Sequence, residues 1–333
     1  MDVDQRRARR EARKRELSRR RARGLAVVSL VAVAALIAVV LLGLASNTKS
    51  IVSPKRGAAR ARNGGTGSTQ GNSGRGAVGR LGAGTAGTER GVPGHELVPI
   101  LMYHVINPPP VGAKFPGLYV PPQEFAAQMQ ALAQAGFHAV TMDQMFANWT
   151  RGTPLAAGKP IVVSFDNGYQ SQYTQALPVL RRLGWVGVEN IQLTGLPPSQ
   201  GGLSETQIAG LVAAGWELDT QGISHADLIT LGPVALHEQV ALARAQVQRR
   251  YHVPVNWFCY PSGHYNATVV AEVKTAGYIG STTVIPGWAS PSEDPYRLPR
   301  LRVLGGTGPK ELLSEIAAIR SDPAPPASYG AGE

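Results

Sequence analysis

From residue 98 onward, short apolar runs alternate with stretches in which apolar residues recur every three or four positions, and this predicts a βα-repeating fold. The runs at 98–102, 138–140, 161–165, 186–193, 216–221, 257–260, 278–284 and 300–303 read as strands. Helices are predicted at 122–135, 142–149, 172–183, 205–214, 234–251, 269–276 and 309–320. The first of them sets Phe125, Met129 and Leu132 on one face, Pro178 predicts a kink in the third, and Ser204 is placed to cap the fourth. About seven strands with helices between them predict an α/β domain, a (β/α) barrel, over residues 98–320.

A different pattern precedes it. Residues 25–45 are Leu, Val, Ala and Ile broken only by Ser29 and Gly43, and as a helix they would cover about 31 Å, the thickness of a bilayer's hydrocarbon core. A single transmembrane helix is therefore expected. Gly43-Leu44-Ala45 would suit a signal-peptide cleavage site, but the apolar run is longer than such peptides use. The arginine-rich arm at 1–24 should stay cytoplasmic, which sends the barrel outside the cell membrane. Residues 46–97 are rich in Gly, Ser, Thr, Ala and Arg and read as a flexible linker, and 321–333 as a disordered polar tail.

The net charge of +11 changes meaning once it is located. Residues 1–24 hold 11 Lys/Arg against 4 Asp/Glu, and 25–91 hold 8 against 1, which leaves 14 against 17 from residue 92 onward. The part able to fold is slightly acidic, so no nucleic-acid partner is expected. Cys259 is the one cysteine, and no intrachain disulfide can form.

Candidate chemistry begins at Lys159-Pro-Ile-Val-Val-Ser-Phe-Asp166-Asn167-Gly168-Tyr169. An apolar strand there ends in an acid and a glycine, at the carboxyl end where parallel sheets carry their sites. Taken alone, Asp166 reads equally as a helix cap. Two further stretches change that reading: Trp216-Glu-Leu-Asp219-Thr-Gln221-Gly-Ile-Ser-His225-Ala-Asp227 and Phe258-Cys-Tyr260-Pro261-Ser262-Gly263-His264. With Tyr103-His104 in front and Leu298-Pro-Arg300-Leu-Arg302 behind, the order and spacing resemble the polysaccharide deacetylases of carbohydrate esterase family 4, in the branch acting on poly-N-acetylglucosamine.

That resemblance implies a distorted (β/α) barrel that removes acetyl groups from an N-acetylated cell-wall or surface polysaccharide with a divalent, zinc-like metal. It places Asp166 as catalytic base, His104 as general acid and His225 as a metal ligand. Tyr260, Pro261, Ser262 and Gly263 would wall the substrate groove, together with Arg300. Trp288 reads either as a sugar-stacking residue of that groove or as simple packing. Two metal positions depart from the family pattern: Asn167 stands where a ligand aspartate is expected and Gln221 where a ligand histidine is expected. Two neutral amides are weak donors for such a metal. Asp219 and His264 are the residues that could substitute. The sequence thus leaves two readings, a metal-dependent deacetylase and a glycan-binding pseudoenzyme with no cofactor.

Overall fold

The computed structural model describes residues 91–196 and 201–330 of the chain. The basic arm, the apolar run at 25–45, most of the linker and residues 331–333 lie outside them. No helix among the described residues is long and apolar enough to cross a membrane.

The described residues form nine strands: β1 (Val98–Tyr103), β2 (Phe137–Ala139), β3 (Lys159–Asn167), β4 (Val188–Ile191), β5 (Glu217–Thr220), β6 (Trp257–Cys259), β7 (Gly280–Thr282), β8 (Trp288–Ala289) and β9 (Leu301–Arg302). They join in one sheet of order β7-β6-β5-β4-β3-β1-β8, with β2 beside β3 and β9 beside β1. Pairing is parallel from β7 through to β1, and β8 is antiparallel. β1 and β3 are central and buried on both faces, which is why Val98-Pro-Ile-Leu-Met and Ile161-Val-Val are continuous apolar runs with no polar alternation.

The sheet curls because one extended segment reaches both of its ends. Leu298 N–H donates to Ser281 O at 3.0 Å, Thr283 N–H to Leu298 O at 2.9 Å and Arg300 N–H to Ile285 O at 2.9 Å, all on the β7 side. Immediately afterwards Leu301 and Arg302 pair with Leu101 and Met102 of β1. Residues 298–303 therefore seam the last long strand to the first, and whatever side chain they turn inward lies at the barrel's centre. Helices cover the outside, where Phe125, Met129, Leu132, Leu180, Leu211, Leu312 and Ile316 join the sheet's outward residues in one core.

Local chemistry accounts for the helix boundaries. Ser204 and Gln207 form a reciprocal capping box at the start of Glu205–Ala213. Pro178 stands in the first turn of Leu177–Arg182, directly after a π turn at Gln172–Ala176, so its missing N–H falls where the regular ladder is already interrupted. The segment after Ser321 departs from expectation. Tyr329 exchanges backbone hydrogen bonds with Tyr265, and Pro326 O accepts the Tyr265 hydroxyl at 2.6 Å. Residues 325–330 thus pack on the barrel, where a disordered tail was expected.

Candidate functional site

At the carboxyl end of β3, Asn167 and Gly168 both take left-handed backbone (φ 78° and 88°), a turn that asparagine and glycine tolerate at low cost. The turn leaves Asp166 within the strand, its carboxylate directed into the barrel. Arg300 meets it from the seam: Nη1 donates to Oδ1 at 2.8 Å and Nη2 to Oδ2 at 2.9 Å, a two-pronged ion pair with both side chains buried. Asn190 Nδ2 adds a third bond to Oδ1 at 3.0 Å, and the Cys259 thiol lies 3.5 Å from Oδ2. Arg300 is itself fixed by Thr283 O at 2.8 Å and Ser164 Oγ at 3.2 Å. Burial alone would raise the Asp166 carboxyl, but the Arg300 guanidinium outweighs it and holds the group down at about 2. Asp166 is a carboxylate at every physiological pH. Arg300, fully buried beneath it, is a support for the acid and not the groove-wall residue expected from the sequence.

Above Asp166 opens a cavity of about 590 Å³. His104, Asp166, Asn167, Gln221 and His225 all line it, so five of the sequence-predicted residues converge. His104 follows β1 and is tied to Asp166 through Gln172, whose Nε2 donates to the backbone oxygens of both, at 2.9 and 2.8 Å. Its Nδ1 is buried without a partner, and burial lowers the imidazole to about 4 against the pull of Asp166. His225 is likewise lowered, mainly by burial. Three of the four non-glycine residues with positive φ among the described residues, Asn167, His225 and Ser262, line this cavity, a concentration of backbone strain at one place.

Tyr260, Ser262 and Gly263 form part of the cavity wall. Pro261 is buried in the same tight turn, where Gly263 N–H donates to Tyr260 O at 2.8 Å and His264 N–H to Pro261 O at 3.1 Å. Those two N–H groups are therefore committed inside the turn. Trp288 is not part of the wall. It pairs with Pro99 near the amino end of β1, opposite the cavity, where its indole donates to Ile316 O at 2.7 Å and Arg320 covers its ring. Its role is packing. The aromatic residue at the cavity mouth is Phe115, 59% exposed, with Leu304 at 41% beside the same opening. Phe115 lies in an irregular loop without periodicity, which is why sequence pattern did not single it out.

The side chains do not fit a zinc-like metal. Gln221 Oε1 accepts from both the backbone N–H and Nδ2 of Asn167, each at 3.1 Å, and Nδ2 also donates to Gln192 Oε1 at 2.9 Å. Two of the three ligand positions thus satisfy one another through N–H···O bonds; a cation would require lone pairs converging on a common point. The substitutes are engaged elsewhere. Asp219 is fully buried with Oδ1 accepting from the backbone of Asn256 and Trp257, and His264 Nδ1 is 3.0 Å from Asp227. Among the described residues, no group of three His, Cys, Asp or Glu side chains could hold a metal ion.

Residues 156–280, which carry Asp166, Asn167, Gln221, His225 and the Tyr260 turn, match the polysaccharide deacetylase family model. This part of the chain is polysaccharide-deacetylase-like. The domain is 29% identical over 224 residues to YxkH of Bacillus subtilis (strain 168), named as a polysaccharide deacetylase, with 67% of this chain and 77% of that protein covered. Among solved structures it resembles the polysaccharide deacetylase BC0361 of Bacillus cereus at 26% identity and a TM-score of 0.59, covering 67% of this chain and 69% of that one. The fold also matches the Streptococcus pyogenes deacetylase PplD at 24% identity and a TM-score of 0.61, over 67% of this chain and 99% of that one. The curled parallel sheet of the deacetylase barrel expected from the sequence is thus the fold observed.

Proposed function

We propose that this deacetylase-like domain binds an N-acetylated polysaccharide in the cavity above Asp166 and has lost the metal-dependent hydrolysis of its family. The observation that carries this reading is the hydrogen-bonded pair Asn167–Gln221 at the metal position. Hydrolysis of an acetamide calls for a Lewis acid or an acidified water, and two neutral amides facing one another supply neither. His104 supports the same conclusion: with its imidazole lowered to about 4 it is neutral near pH 7, and the single ring N–H left to it is a weak acid toward a leaving amine. Asp166, held at about 2, is a weak base. What remains suits binding: an open cavity with polar groups along its floor, and exposed Phe115 and Leu304 at its mouth, where the apolar face of a sugar ring could rest.

Hydrolysis is the second reading, favoured by the persistence of both Asp166 and His104 on one cavity wall. The expected anchor at 25–45 and the Gly-rich linker would hold the domain outside the membrane, within reach of a wall or surface glycan. Acetate release separates the two. With N-acetylglucosamine oligomers and added zinc or cobalt, the full chain is expected to bind oligomer and release no acetate above a His225→Ala control. Metal-stimulated release that the control abolishes would restore the hydrolase reading.

A further inference from the structure

The amide pair at the metal position presents hydrogen-bonding atoms to the cavity in a fixed arrangement. Side-chain amides can be rotated by half a turn without changing their shape, so their orientation must come from partners that cannot switch roles. Two such partners are present. The backbone N–H of Asn167 can only donate, so it fixes Gln221 with Oε1 toward Asn167. Thr194 O can only accept, so the 2.7 Å contact from Gln192 Nε2 turns Gln192 Oε1 toward Asn167. Asn167 is caught between these two oxygens and must offer them Nδ2, at 2.9 and 3.1 Å.

All three amides are thereby locked, and two atoms are left over. Gln221 Nε2, a donor, and Asn167 Oδ1, an acceptor, take no part in these bonds. Neither is among the enclosed unpartnered atoms of the described residues, and both side chains line the cavity. The pair therefore faces the cavity as an uncharged donor and an uncharged acceptor.

We propose that the Asn167–Gln221–Gln192 triad recognises the acetamido group of the bound sugar: Gln221 Nε2 donates to the acetyl carbonyl oxygen, and Asn167 Oδ1 accepts an N–H or hydroxyl proton of the same residue. The ligand class is an uncharged 2-acetamido sugar. The inference rests on the glycan-binding reading and adds a residue-level basis for selectivity. A site whose polar atoms are matched by the ligand discriminates strongly against an analogue that leaves them unpaired.

The test compares two neutral probes, N-acetylglucosamine tetramer and cellotetraose, which carries hydroxyls in place of the acetamido groups. Binding to the full chain is read by calorimetry for the native protein, for Gln221→Glu, which keeps Oε1 for Asn167 and turns the donor into a charged acceptor, and for Gln221→Met, which removes the donor without adding charge. The native protein is expected to prefer the acetylated tetramer by about ten-fold or more, and both variants to lose that preference. Should one variant unfold, the other is read alone. Equal binding of both probes by the native protein, or a folded variant that keeps the preference, would overturn the inference and leave glycan binding standing. Failure of the native protein to bind either probe would remove the glycan-binding reading itself and this inference with it.

Discussion

Asp166 and Arg300 lie 134 residues apart in the chain and meet through two short bonds, both side chains buried beneath the cavity. Removing one partner of such a pair strands the other charge. Arg300→Met is therefore expected to destabilise the domain by about 3–5 kcal/mol in denaturant unfolding, and Arg300→Met with Asp166→Leu by clearly less. Asp166 could be singled out in the sequence because strand-end acids have a local signature, whereas its partner depends on which distant segment closes the barrel. The same pair sets a pH dependence. Asp166 titrates near 3.8 when unfolded and at about 2 in the fold, so its contribution is complete above about 4 and disappears as pH falls toward 2. His104 titrates near 6.5 when unfolded and at about 4 in the fold, so the unfolded chain takes up the extra proton between those values and stability falls over that window too. The buried carboxyls of Glu189, Glu217 and Asp219, all raised in the fold, act in the opposite sense, so the His104 contribution is read as a difference: from pH 6.5 down to pH 4 the native thermal midpoint is expected to fall relative to that of His104→Phe. An unchanged profile in that variant would contradict the assigned state of His104.

At the scale of elements, eight of the nine strands of the described residues fall where apolar runs predict them and β8 was not predicted; most of the eight are shorter than expected, because a strand ends where its neighbour stops pairing and not where apolar character stops. β5 was expected at 216–221 and is Glu217–Thr220; β7 was expected at 278–284 and is Gly280–Thr282. β1 and β3 are longer than expected: β1 runs one residue past its expected end at 102, and β3 two residues past its expected end at 165, taking in Asp166 and Asn167, because β4 continues to pair with it there. Ser204 and Pro178 were readable because capping and ring closure act within a few residues. Trp288 and the segment from residue 325 onward were not, since each is fixed by a tertiary partner: Ile316 O for the indole, and Tyr265 for Tyr329 and Pro326. Composition favours disorder in a Pro- and Gly-rich tail, and the hydrogen bonds to Tyr265 outweigh it.

For the molecule as a whole, family likeness and site chemistry give different answers, and the departure was visible in the sequence as Asn167 and Gln221. The structure adds what those two amides do, which is to bond to one another and to Gln192 and so fill the coordination position with a neutral network. The cavity and the ion pair beneath its floor are built around that network. If the two substitutions alone account for the loss, restoring them should restore the metal. The most direct measurement is zinc titration calorimetry on the full chain beside an Asn167→Asp, Gln221→His variant. No stoichiometric binding by the native protein, and one tightly bound zinc per chain in the variant, is the predicted result. One tightly bound zinc in the native protein, lost on His225→Ala, would contradict the account.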